Sequence, residues 1–257
     1  MSRIAIITGA TSGFGKAIAE KFASQQYNVI ITGRRKNLLD EVRTSLEQKY
    51  NIKVLALNFD VRDKEAVNSI FSTLPAEWQQ VNVLVNNAGL ALGKDYFEEA
   101  NMDDWETMID TNIKGLLYVT RAVIPYLKLS GYGHIINIGS VAAKNIYEKG
   151  NVYCATKSAV ESISHSMRIE LLRHKIKVTA IHPGAAETEF SIVRFKGDVK
   201  AAKAVYEGYQ ALTAADVADV VYYCAALPPH VCINDLTLTP TAQADAFYLL
   251  NTPIVPK

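Results

Sequence analysis

Residues 153–157 read YCATK, just ahead of a run with helical spacing, SAVESISHSMRIELL. Tyr153 and Lys157 are four positions apart, which points two side chains the same way from a helix. A cation beside a phenol favours the phenolate and lowers its pKa, so the pair could give or take a proton near neutrality. The same spacing also fits a packed tyrosine beside a solvated lysine, and the remaining motifs have to decide.

The stretch TGATSGFG at residues 8–15 is the second candidate. Gly9, Gly13 and Gly15 permit a tight turn and close backbone approach, and Thr11, Ser12 and Phe14 complete the loop at the start of a helix. A helix N-terminus offers free N–H groups to an anion, so this loop suits the phosphates of a dinucleotide. It is not a P-loop, because no Gly-Lys-Ser/Thr follows. The next apolar run ends ITGRRKN, with Arg34 and Arg35 where an NAD-reading carboxylate would stand. A carboxylate would repel a 2′-phosphate and a guanidinium would bind it, so the expected cofactor is NADP.

These groups need a frame. Apolar, β-branched runs (RIAIITG, NVIITG, KVLALNFDV, VNVLVNNAG, GHIINIGS, KVTAIHPG and DLTLTP) alternate with helical segments along all 257 residues. Strands that are apolar throughout and separated by helices predict a parallel sheet covered on both faces. The expected fold is α/β, a doubly wound Rossmann sheet forming a single domain over 1–257. The run WETMIDTNIKGLLYVTRAVIPYLK reads as one long helix.

Composition narrows the function classes. Hydrophobic residues make up 49% and charged residues 21%, and the net charge is +1, with no basic block to suit nucleic acid. No apolar run has the length of a membrane span, and MSRIAIITGA lacks a signal-peptide cleavage pattern. Three cysteines without CxxC spacing fit a reducing compartment, and HVC at 230–232 lacks the further ligands of a zinc site. The expectation is a soluble cytoplasmic protein without a metal.

Taken together, TGATSGFG, NNAG at 86–89, Asn112 in DTNIKG, Ser140 in NIGS, YCATK and HPG at 182–184 occur in the order seen in short-chain dehydrogenases/reductases. The resemblance spans nearly the whole chain. It implies that Tyr153 is the general acid for carbonyl reduction and the base for alcohol oxidation. Ser140 would hydrogen-bond the substrate oxygen, Lys157 would depress the tyrosine pKa and hold the nicotinamide ribose, and Asn112 would hold a water linking the lysine to solvent. Asp60 and Val61 would flank the adenine, and Asn87, Ala88 and Gly89 would line the adenosine side. Pro183, Gly184 and Thr188 would enclose the nicotinamide, while Cys154 is read as packing. A serine at a strand end can also be only a cap, whereas an asparagine inside a helix needs a reason.

The segment ETEFSIVRFKGDVKAAKAVYEGY, with ALTAADVA and LPPHVCIN, resembles the branch that oxidises 3-hydroxy acids with NADP. Its substrates are of the serine, allo-threonine and 3-hydroxypropionate or malonic semialdehyde type. A substrate lid is expected at about 185–212, with Ala185 beside the substrate and Arg194 as the cation for its carboxylate. Arg194 could equally pair with Glu187 or Glu189. Ala185-Ala186, Glu148 and Lys149 depart from the branch pattern, which keeps a sulfoacetaldehyde reductase, a broad carbonyl reductase and an amino-alcohol dehydrogenase open. A non-enzymatic dinucleotide-binding regulator is the reading from another class, disfavoured because all four catalytic positions are kept. The resemblance also implies a homotetramer, or else a dimer, built on helices at 103–128 and 152–174, with the tail AFYLLNTPIVPK packed on a partner subunit.

Overall fold

The apolar runs form β1 (Ile4–Ile7), β2 (Asn28–Gly33), β3 (Val54–Asn58), β4 (Val81–Asn86), β5 (His134–Ile138), β6 (Lys177–Pro183) and β7 (Asp235–Leu238). In the computed structural model, which describes residues 3–250, they pair in parallel in the order β3-β2-β1-β4-β5-β6-β7. The chain builds outward from β1 to β3, then returns to add β4 on the other side of β1. That reversal opens a crevice at the carboxyl ends of β1 and β4, where ligands bind in sheets of this type.

Parallel neighbours need crossover connections, which helices supply. In chain order these are α1 (Gly13–Ser24), α2 (Lys36–Tyr50), α3 (Lys64–Ser72), α4 (Met102–Ile109), α5 (Leu116–Leu129), α6 (Asn151–Leu171), α7 (Glu189–Arg194), α8 (Val199–Ala204) and α9 (Ala214–Ala226). Successive strand residues point to opposite faces, and the sheet buries both. Ile31 and Val85 join the core on one side with Phe22 of α1 and Val221 of α9. Ile30 and Leu84 join the other with Phe71 of α3 and Val123 of α5. Phe22 is fully buried, edge-on to Tyr27 at 5.0 Å and to Tyr222 at 5.5 Å. Removing such a ring costs about 3–5 kcal/mol.

The long helix expected from WETMIDTNIKGLLYVTRAVIPYLK differs in one respect. A π-helical segment, Asp110–Gly115, joins α4 to α5 and contains Asn112. Wider turns of this kind concentrate at functional sites. Here the segment runs against the loop after β3, where a side chain at Gly115 would meet Val61 at 2.7 Å.

The lid region consists of the short helices α7 and α8. Its two ends are tied together where Ala186 bridges Leu212: Leu212 N–H donates to Ala185 at 3.0 Å and Glu187 N–H to Leu212 at 2.9 Å. Among the described residues no helix is long and apolar enough to cross a membrane. Of the tail expected to pack on a partner, Phe247, Tyr248 and Leu250 are exposed; positions 251–257 lie outside the described residues.

Candidate active site

β5 and α6 bring the first candidates together. Ser140 follows β5 in extended conformation and caps a 3-10 turn, Val141–Ala143, accepting a hydrogen bond from Ala142 N–H at 3.1 Å. That turn packs on the start of α6, from which Tyr153 and Lys157 project; both are buried. The Lys157 ammonium donates to the Ile138 carbonyl at 3.0 Å and lies 5.9 Å from the centre of the Tyr153 ring. Serine, phenol and ammonium therefore share one corner of the crevice.

Burial pushes the Lys157 ammonium down to about 8. Burial also raises the Tyr153 phenol, helped by the Tyr147 phenol beside it, while the Ser140 hydroxyl and the Arg194 guanidinium pull the other way. The expectation that Lys157 holds the tyrosine low is thus corrected. Loss of hydration outweighs the Ser140 hydroxyl and the Arg194 cation, Lys157 is not among the groups that shift the phenol, and the phenol keeps its proton near neutral pH.

The glycine-rich loop is held by its neighbours. Gly9 has φ +66°, and a side chain there would come within 3.0 Å of Ala88. The Asn87 amide donates to the Thr8 and Gly9 carbonyls at 2.8 and 3.2 Å, and Thr8 Oγ1 accepts from Asn87 N–H and Ala88 N–H, each at 2.9 Å. Sequence reasoning missed Thr8, which locks NNAG to the loop. Gly9, Thr11, Ser12, Gly13 and Phe14 line a cavity of about 750 Å³, which continues past Arg34, Arg35, Asp60, Val61, Asn87, Ala88 and Gly89. Arg35 donates to Thr11 Oγ1 at 3.0 Å and Ser12 Oγ at 2.9 Å, and pairs with Glu189 at 3.2 Å. Arg34 lies 3.6 Å from Asp60. Burial works against ionisation of Asp60, yet its hydrogen bonds with Arg62 hold it below the usual carboxylate range.

Ser140, Tyr153, Lys157, Pro183, Gly184, Ala185, Thr188 and Arg194 line the same cavity. Two predicted residues do not. Gly15 faces inward, where a side chain would meet the Gly9 carbonyl at 2.2 Å, so its smallness serves helix-to-loop packing. Asn112 lies behind the wall: its amide donates to the Leu90 carbonyl at 2.8 Å and Thr156 Oγ1 at 3.1 Å, and its oxygen accepts from Leu90 N–H at 2.9 Å. Its side chain clamps the chain after NNAG. It remains next to the lysine, since a side chain at Gly89 would lie 3.1 Å from its oxygen and 3.5 Å from the Lys157 ammonium.

On the lid side, Thr188 caps α7 and Arg194 ends it. Arg194 donates to the Tyr147 hydroxyl at 3.0 Å and the Gly93 carbonyl at 3.4 Å, with its guanidinium 5.5 Å from the centre of the Tyr153 ring. Neither Glu187 nor Glu189 pairs with it, and Glu189 is engaged by Arg35. Tyr147 and Gln243 had no sequence signal of their own. Gln243 accepts from Ala185 N–H at 2.7 Å and seats the chain after HPG. Cys154 is fully buried, as a packing residue would be. Glu161, His165 and Asp235 gather within 4.8 Å, but Lys144 pairs with both carboxylates, so the trio forms part of an ion-pair cluster.

A family model described as short chain dehydrogenase matches residues 3–198. The NADP-dependent 3-hydroxy acid dehydrogenase of Escherichia coli K12 is 47% identical over 95% of this chain and 97% of its own length. Sulfoacetaldehyde reductase 2 of Chromohalobacter salexigens is 46% identical, over 95% and 96%. The closed form of serine dehydrogenase complexed with NADP+ superposes with a TM-score of 0.89 at 47% identity, covering 95% of this chain and 97% of that one. The chain belongs to the short-chain dehydrogenase family.

Proposed function

We propose that this protein is an NADP-dependent oxidoreductase that interconverts a small 3-hydroxy acid and its carbonyl counterpart. The observation carrying the substrate class is Arg194: its guanidinium sits beside the Tyr153 ring, held by neutral oxygens and without a carboxylate partner among the described residues. A free guanidinium at that point suits a substrate carboxylate through paired hydrogen bonds. The cofactor fits the residues present: a glycine loop that would clash with any side chain at Gly9, a helix N-terminus at α1, and Arg34 and Arg35 at the end of β2. The names of the relatives, NADP-dependent or complexed with NADP+, support the same choice.

The hydride would come from NADPH when that cofactor is held by the glycine loop, Arg34 and Arg35. Tyr153, kept protonated by burial, donates its proton to the substrate oxygen as negative charge develops there, and Ser140 donates a hydrogen bond to that oxygen. Lys157 provides the cation beside the phenol and a route for its reprotonation. Asn112 positions the segment through Leu90. In the oxidative direction the phenolate takes the proton instead.

A sulfonate would meet the same guanidinium, and the Chromohalobacter relative supports keeping sulfoacetaldehyde in the substrate panel. We also read the protein as cytoplasmic and homotetrameric. Exposed Ile109, Leu117, Leu129, Ile169 and Leu172 on or next to the long helices support self-association, which light scattering would measure. The substrate reading is tested with Arg194→Ala. KM for 3-hydroxy acids should rise about 10–100-fold, the worth of a charge-assisted bidentate contact, with uncharged alcohols spared. Equal losses on both would retire it.

A further inference from the structure

The rim of the cavity carries more positive charge than one carboxylate requires. Gly93 and Arg194 are locked together: Gly93 N–H donates to the Arg194 carbonyl at 3.1 Å, and Arg194 Nε donates back to the Gly93 carbonyl at 3.4 Å. Gly93 adopts φ +71°, and the turn sets Lys94, the next residue, on the cavity wall with Arg194. Lys94 makes no ion pair among the described residues. Burial, Arg194 and Lys149 all disfavour its charged form, with Glu148 opposing them. Glu148 is itself held by the Tyr96 hydroxyl at 2.9 Å, and the Lys149 ammonium lies 4.1 Å from the centre of the Tyr96 ring. Of the charged groups that act on Lys94, Arg194 and Lys149 are cationic and Glu148 alone is anionic; of the carboxylates beside Gly93, Asp95 and Asp104, the latter pairs with Lys196. Like charges held side by side repel, and that repulsion is relieved when anionic groups enter.

We propose that the site takes a 3-hydroxy acid carrying a second carboxylate, with Arg194 on one acid group and Lys94 on the other. This rests on the hydroxy-acid reading above. The Arg194 fork can occupy both oxygens of one carboxylate, which leaves the Lys94 ammonium for a further anion. Lys94 is thus a specificity-determining residue, and its charge should matter only when the substrate has two.

The test compares 3-hydroxyglutarate with 3-hydroxybutyrate, a dianion and a monoanion of the same carbinol type, in the NADP-dependent reaction of the intact protein and of Lys94→Met. The native protein should favour the dianion in kcat/KM by about three- to fivefold, the scale of one charge contact at a protein surface, and Lys94→Met should abolish that preference with 3-hydroxybutyrate changed less than about twofold. Raising salt should erode the preference in the native protein alone. Turnover of 3-hydroxybutyrate with the same substrate ratio in both proteins overturns the role of Lys94 and leaves the hydroxy-acid reading standing. Turnover of uncharged carbonyls but of neither acid overturns both.

Discussion

Tyr153 and Lys157 stand in the first turns of a helix that runs from Asn151 to Leu171, and both are buried. Arg194 ends a helix of only six residues, and Lys94 stands in the loop after Gly93. The floor of the cleft is built by three elements together: β5 accepts from Lys157 through the Ile138 carbonyl, Ser140 caps the 3-10 turn, and α6 carries Tyr153 and Lys157. The rim is held by a few hydrogen bonds, from Gly93 to Arg194, from Arg194 to Tyr147 and from Arg35 to Glu189. A floor built this way can keep one chemistry while the rim changes the molecule that enters. In the function proposed above, proton transfer falls to the floor and substrate choice to the rim.

Substitutions can break that division. Ser140→Ala removes the donor to the reacting oxygen and should lower kcat by about 10²–10³-fold, for charged and uncharged substrates alike. A loss confined to hydroxy acids would move Ser140 from floor to rim. Arg35→Ser, at the cofactor end, should lower kcat/KM for NADPH by about 10–100-fold and leave NADH within threefold. Equal losses with both cofactors would assign Arg35 to holding Thr11 and Ser12 rather than to a 2′-phosphate.

The pH profile separates the two regions further. Burial lowers Lys157 to about 8, so its cation is present below that pH and lost above it. Carbonyl reduction, followed as kcat/KM, should fall by about tenfold per pH unit on the alkaline side of an apparent pKa near 8, that of the Lys157 ammonium. Arg194→Ala should leave that limb in position. The smallest effect is expected at Gly93, whose positive φ disfavours any side chain. Gly93→Ala should cost about 1–2 kcal/mol of stability in a denaturant titration and raise KM for hydroxy acids more than it lowers kcat.

The same division explains what could be read from the chain before its coordinates. Six strands announced themselves as apolar runs between helices, because a parallel sheet buried on both faces leaves no room for polar alternation, whereas the edge strand β7 alternates polar and apolar residues and has no buried one. Tyr153, Lys157 and Ser140 were legible as candidates because TGATSGFG, NNAG, NIGS, YCATK and HPG stand in a family's order, their spacing alone leaving a packed tyrosine and a strand-end cap open. Three features were not. The π-helical turn around Asn112 has no compositional signal distinct from a helix, and only the clamp on Leu90 shows what the asparagine does. The pull of burial on Tyr153 depends on every atom packed around it, and Tyr147, one of the neighbours that raise it, comes from another loop. The freedom of Arg194 depended on where Glu187 and Glu189 would point. Glu189 turned to Arg35, 154 positions away.

The claim beneath all of this is that the Tyr153 phenol supplies the proton while the rest of the site only binds and orients. Tyr153→Phe, which keeps the ring and removes one oxygen, tests it in a single pair of assays, NADPH binding by fluorescence titration and carbonyl reduction in single turnover. NADPH affinity should stay within about threefold of the native protein while the rate of reduction falls by about 10³-fold or more. Reduction within about tenfold of the native rate, with cofactor binding intact, would contradict the account.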